Sequence, residues 1–278
     1  MTINCGGKVL DLSKPKVMAI CNITGDSFFK ESRVASEKEL ITMAGQHLSD
    51  GADIIDIGGM SSRPGAKEIP LKDEIVKLIW ALKILRREFN NVLISIDTYR
   101  AEVVKSVTEY GINMVNDISG GSIDPDILPT VGALNLPYVL MHMKGTPRHM
   151  QQNPSYKSNV VMAELEYFKT SLHRCKNEGI VDVIIDPGFG FGKTIDDNYK
   201  LLYQLKAFQL FDVPIMVGLS RKSMIYKVLG IDPAAALNGT TALHMHALLS
   251  GAKILRVHDT RAAHDCIVLH QKLESVNQ

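Results

Sequence analysis

The chain has 278 residues, enough for one large domain or two small ones. Lys+Arg 31 against Asp+Glu 30 leaves a net charge of +1, so no bulk field favours nucleic acid or an anionic membrane. Four scattered cysteines (Cys5, Cys21, Cys175, Cys266) without a C-x-x-C pair argue against a zinc site and a disulfide framework, and suit a reducing cytoplasm.

The N-terminal string MTINCGGKVLDLSKPK lacks the basic-then-apolar order of a signal peptide, and its TINC-GG-KVL portion predicts a small hairpin. Eight short apolar runs follow. VMAIC ends at Asn22, DIIDIGG leads into Ser61, Ser62 and Arg63, and VLISI ends at Asp97. NMV ends at Asn116 and Asp117, YVLMHM at Lys144, and DVIID at Asp186. PIMVGLS runs into Arg221 and Lys222, and KILRVHD carries Arg256 and His258. Continuous Val/Ile/Leu runs are the mark of buried parallel strands.

Amphipathic helices separate these runs. One opens near Ser36 as N-cap, with Glu39 three residues on, and closes at Gly51. KDEIVKLIWALKILRREF has acids early and bases late, as the helix dipole favours. YRAEVVKSVTEYG is a third, and Asp124–Leu134, Asn159–Asn177, Asp196–Leu210, Asp232–Ser250 and Arg261–Leu273 complete the series. Strands alternating with helices imply parallel pairing through right-handed crossovers. Eight units fit a (β/α)8 TIM barrel as one α/β domain over 1–278, with its site at the C-terminal ends of the strands. No apolar stretch reaches the roughly 20 residues that span a bilayer. Two long connections, Thr24–Ala35 and Ser61–Leu71, follow strands on that face and predict covering loops.

DPGFGFGKT, Asp186–Thr194, tempts a nucleotide-binding reading. A P-loop would need glycine where Pro187 stands, and the dinucleotide fingerprint would need it where Lys193 stands. What remains is a strand-end carboxylate and a glycine-rich loop displaying Phe189 and Phe191, or a flexible turn with core phenylalanines. SRKS places Arg221, Lys222 and Ser223 at a helix start, suited to an anion or else a solvated basic turn. Arg256 and His258 add a second cationic pair on the same rim. Asp97, Asn116 and Asp186 project into the expected mouth, where several polar groups are costly to desolvate without a ligand. Asp56 reads as a buried structural acid. His142, His244 and His246 lack metal-ligand spacing.

NITGDSF, DIGGMSSRPGA, SIDTYR, MVNDISG, LMHMKGTP, IDPGFGFGK, LSRKS, NGTT and RVHD stand in the order found in the dihydropteroate synthases. The resemblance spans Val17–Asp259. It implies a barrel enzyme of folate biosynthesis that joins 6-hydroxymethyl-7,8-dihydropterin diphosphate to 4-aminobenzoate and releases diphosphate. Residue by residue, it implies that Asp97, Asn116, Asp186 and Lys222 hold the pterin, with Arg256 over its plane. Arg256, His258 and Asn22 would bind the diphosphate, Asn22 also the magnesium ion (Mg2+), with Asp26 assisting from its loop. Ser62, Arg63, Pro64, Phe191 and Ser223 would form the aminobenzoate site, and a homodimer is the family expectation. The sequence departs from the family at Gly25, usually Pro, and at Met60, usually Glu. A pterin-binding methyltetrahydrofolate methyltransferase and a non-catalytic pterin-binding paralogue are the competing readings. The diphosphate set and the SRKS string favour the synthase.

Overall fold

The structure, a computed structural model, describes residues 1–23, 33–60, 68–146, 150, 154–156 and 159–276. β1 (Thr2–Cys5) and β2 (Lys8–Asp11) pair antiparallel, Cys5 opposite Lys8. The turn between them needs positive φ at Gly6 (64°) and Gly7 (87°), which glycine supplies without a Cβ penalty.

Eight parallel strands follow: β3 (Lys16–Asn22), β4 (Ile54–Gly58), β5 (Leu93–Asp97), β6 (Met114–Asp117), β7 (Tyr138–Met141), β8 (Val183–Asp186), β9 (Met216–Val217) and β10 (Ile254–Val257). Their order in the sheet is β8-β7-β6-β5-β4-β3-β10-β9. A parallel bridge between Ile185 and Ile215 joins β8 to the start of β9's segment and closes the ring. The helices between them are α1 (Arg33–Ser49), α2 (Leu71–Glu88), α3 (Ala101–Val107), α4 (Ile127–Ala133), α5 (Val160–Asn177), α6 (Ile195–Tyr203), α7 (Ser223–Leu229), α8 (Leu237–Leu249) and α9 (Thr260–Ser275). The architecture is the expected TIM barrel with an N-terminal hairpin. Among the described residues, no helix is long and apolar enough to cross a membrane.

Side chains alternate across each strand, and this two-residue period places the site. Ile55, Ile57, Ile94, Ile96, Val115, Ile185 and Leu255 pack outward in the main core with the helices. Met18, Ile54, Met114, Val139, Ile184, Met216 and Ile254 fill the barrel's inner cluster, sealed by Ile3, Cys5, Leu10 and Leu12 of the hairpin. Two residues further along, β4, β6, β8 and β10 aim Asp56, Asn116, Asp186 and Arg256 inward. The hairpin therefore closes one end of the barrel, and polar groups crowd the other.

Several helix boundaries differ from expectation. Ser36 lies inside α1, because nothing in Arg33–Ala35 breaks a helix before it. The helix expected over Asp196–Leu210 ends at Tyr203 and continues as a 3-10 segment, Leu205–Phe211. Pro233 likewise begins a separate 3-10 turn, Pro233–Ala235, before α8; it stands at the first position, where the missing proline N–H costs no hydrogen bond.

Candidate active site

Four strand ends meet in one charged cluster. Arg256 Nε donates to Asp56 Oδ2 at 2.7 Å, and its Nη2 donates to Asp97 Oδ2 at 2.7 Å. Asp56 Oδ2 also accepts from Asn116 Nδ2 at 3.0 Å. Asp56, Asp97, Asn116 and Asp186 are all buried. Burial pushes the Asp97 carboxyl up to about 7, with Arg256 pulling it down and Asp56 adding to the rise. Burial works against the Arg256 charge too, but Asp56 and Asp97 outweigh it and raise its pKa. Asp186 is raised by burial, with Lys222 and the Gly188 N–H opposing.

Lys222 faces this cluster from the start of α7. Burial lowers its pKa to about 7, against the pull of Asp186. Its Nζ donates to the Phe189 carbonyl and lies 4.7 Å from the centre of the Phe191 ring, a cation–π contact. Asp186 Oδ1 accepts from Gly188 N at 2.7 Å, which ties the glycine-rich loop to the end of β8. Phe189 is fully buried in the main core and is a packing residue, whereas Phe191 is half-buried beside Met60, Met143, Tyr99, Ile118 and Met141. Ser223 is the first residue of α7, and His258 is exposed at the end of β10 with Nδ1 3.2 Å from Ser220 Oγ.

The structure thus brings together Asp97, Asn116, Asp186, Lys222 and Arg256, with Asn22 at the neighbouring end of β3. Asp26, Ser62, Arg63 and Pro64, like Gly25, lie outside the described residues. Arg221 does not join the cationic rim. It adopts φ 54° and turns its guanidinium onto Asp259 (2.7 and 2.8 Å) and the Pro233 carbonyl (3.2 Å), so its charge is neutralised locally. Asp56 is more than a structural acid, because it shares Arg256 with Asp97. Its place after Ile54, with the same two-residue step as Asn116 after Met114, was the available signal.

The buried Asn22 Oδ1 has no hydrogen-bond partner among the described residues. A neutral oxygen left without a donor fits one position of a hard cation that keeps its waters and takes other oxygens from a substrate phosphate. No group of three or more His, Cys, Asp or Glu among the described residues could cage a metal.

A model of pterin-binding enzymes matches residues 18–258. Dihydropteroate synthase of Escherichia coli (strain K12) is 40% identical over 264 residues, covering 94% of this chain and 92% of its own length. The Haemophilus influenzae dihydropteroate synthase is 38% identical, with 98% of each chain covered. Among solved structures, the Yersinia pestis dihydropteroate synthase in a sulfonamide drug complex superposes with a TM-score of 0.92 at 35% identity, covering 99% of this chain and 100% of that one. The Xanthomonas albilineans dihydropteroate synthase with 4-aminobenzoic acid gives 0.89 at 33% identity, with 98% of each chain covered. The barrel with acids and amides at its mouth is that of a pterin-binding enzyme, a transferase class. Within that class, the chain belongs to the dihydropteroate synthase family of folate biosynthesis.

Proposed function

We propose that the protein condenses 6-hydroxymethyl-7,8-dihydropterin diphosphate with 4-aminobenzoate, giving 7,8-dihydropteroate and diphosphate. The observation that carries this reading is the convergence of Asp97, Asn116, Asp186 and Lys222 around Arg256 at one mouth. A pterin presents N–H donors along one edge and a carbonyl on another. Asp97 and Asp186 are acceptors for the first, Asn116 offers both functions, and Lys222 is a donor for the second.

To seat the pterin, Arg256 must give up its bond to Asp97 while Asp56 keeps hold of Nε. The guanidinium is then free to lie against the ring and to meet the diphosphate beside His258. The aminobenzoate nitrogen attacks the pterin methylene carbon, the carbon–oxygen bond breaks, and diphosphate departs with the electron pair. The proton released from nitrogen passes to solvent, so no general base is assigned. Arg256 and His258 offset the charge developing on the leaving group. Asn22 Oδ1 would hold Mg2+, which supplies further charge neutralisation there. Phe191 packs the aminobenzoate ring and Ser223 lies near its carboxylate. The family pattern assigns Ser62, Arg63 and Pro64 to the aminobenzoate as well, and Asp26 to a role assisting Asn22.

We further assign a homodimer, supported by exposed apolar residues on three consecutive helices: Val228 and Leu229 on α7, Leu249 on α8, and Leu269 and Leu273 on α9. A reducing, cytoplasmic location accords with four free, buried cysteines. Diphosphate release should require the pterin substrate, 4-aminobenzoate and Mg2+ together. Release that ignores 4-aminobenzoate, or binding without turnover, would refute the reading.

A further inference from the structure

Lys193 breaks both nucleotide-binding patterns in the glycine-rich string, and neither substrate expectation uses it. It is 3% exposed, yet it is charged in type and surrounded by polar atoms. Its Nζ donates to the carbonyls of Gly188 (2.9 Å) and Phe191 (3.1 Å) and lies 3.3 Å from that of His142. The countercharge comes from Glu164 on α5, which is 0% exposed. Glu164 Oε1 sits 3.1 Å from Lys193 Nζ and 3.1 Å from His142 Nδ1. These contacts are ion-pair approaches without hydrogen-bond alignment, and Oε2 has no partner among the described residues. Burial lowers the pKa of His142, which keeps the ring neutral, and Lys193 Nζ, which can only donate, lies 3.1 Å from its Nδ1, so that nitrogen accepts.

An ion pair taken wholly out of water is a poor way to gain stability, because apolar residues of like volume do as well or better. What this cluster does have is a position. Lys193 gathers, from behind, the backbone of the segment whose front forms the site. Gly188 N is bonded to Asp186, Phe191 N donates to Gly188 O at 3.0 Å, and the Phe189 carbonyl accepts from Lys222. The Phe191 ring rests beside that same Lys222 ammonium.

We propose that the buried Lys193–Glu164–His142 cluster is a positioning device for the reaction, fixing residues 188–191 so that Phe191 meets the aminobenzoate in register beside Lys222 at the pterin. This inference rests on the function proposed above. The wild-type assay tests that function, and the variants below test the cluster, so the two can fail separately.

The informative variant is Lys193→Met with Glu164→Gln, which removes both charges and strands neither. It should fold, with the aminobenzoate KM raised about tenfold and kcat reduced less than about threefold, the split expected when a ground-state contact is loosened. Adding Phe191→Leu to it should raise KM by less than Phe191→Leu does in the wild-type background, because both changes act on one contact. If the double variant does not fold, Glu164→Gln alone leaves Lys193 its carbonyl partners and should still raise KM about threefold. A wild-type KM in the folded double variant, full additivity with Phe191→Leu, or a wild-type KM in Glu164→Gln when only that variant folds would each overturn the proposal.

Discussion

Gly188→Ala is the change whose cost can be read most directly from the backbone. Gly188 has φ +67°, and a Cβ built there would stand 2.0 Å from the His142 carbonyl oxygen and 3.1 Å from Met141 Cγ. An alanine in that left-handed region costs about 1–2 kcal/mol by itself. A backbone oxygen cannot swing aside like a side-chain tip, so the loop and the end of β7 must separate by roughly 1 Å, overpacking that costs a further 1–3 kcal/mol. The sum is about 2–5 kcal/mol. At about 2–4 °C per kcal/mol for chains of this size, the melting temperature should fall by roughly 5–20 °C. The same displacement pulls Gly188 N from Asp186 and Gly188 O from Lys193, so pterin affinity should fall too. Thermal unfolding and calorimetric pterin binding read the two effects. A melting temperature within about 2 °C of wild type, together with an unchanged Kd, would show that the close approach at β7 does not hold the loop.

Asp56→Asn keeps the shape but weakens the hold on Arg256, replacing a charge-assisted bond with a neutral one worth about 1–2 kcal/mol less. Arg256 should then compete harder for Asp97, weakening calorimetric pterin binding by about 5- to 30-fold; a change below twofold would count against that competition. Pterin affinity should also peak near neutral pH. Asp97, raised to about 7, takes up a proton as pH falls through that value and loses its place as an acceptor, while Lys222, lowered to about 7, loses its charge as pH rises through it. Calorimetry with the unphosphorylated pterin avoids the diphosphate's own titration, and a flat profile between about pH 5.5 and 8.5 would contradict both assignments. Washing out Mg2+ with a chelator should abolish diphosphate release while leaving the unphosphorylated pterin's Kd unchanged, because the proposed role of Asn22 places the ion at the diphosphate and not at the ring.

The barrel was legible because its two-residue strand period and its helix spacing are local properties. Ile54 and Asp56, or Ile184 and Asp186, point to the same side wherever the strand lies, so inward acids could be named from the sequence. The partners of those acids were less legible. Arg221 looked like part of the rim, but its destination depends on Asp259, 38 residues away, and on a left-handed turn. Lys193 looked like a failed motif, because Glu164 sits on a helix in another barrel unit and only folding brings them to 3.1 Å. Phe189 and Phe191 are two residues apart in the same loop, and packing alone sends one to the core and the other to the site.

The account depends on a pterin being gripped at the ends of separate strands, and Asp186→Ala tests this most directly. Asp186 is 5% exposed at the end of β8, facing Lys222. Calorimetric titration of the folded variant with pterin diphosphate should show at least a hundredfold loss of affinity, about 2.7 kcal/mol or more. A wild-type Kd in that variant would contradict the account.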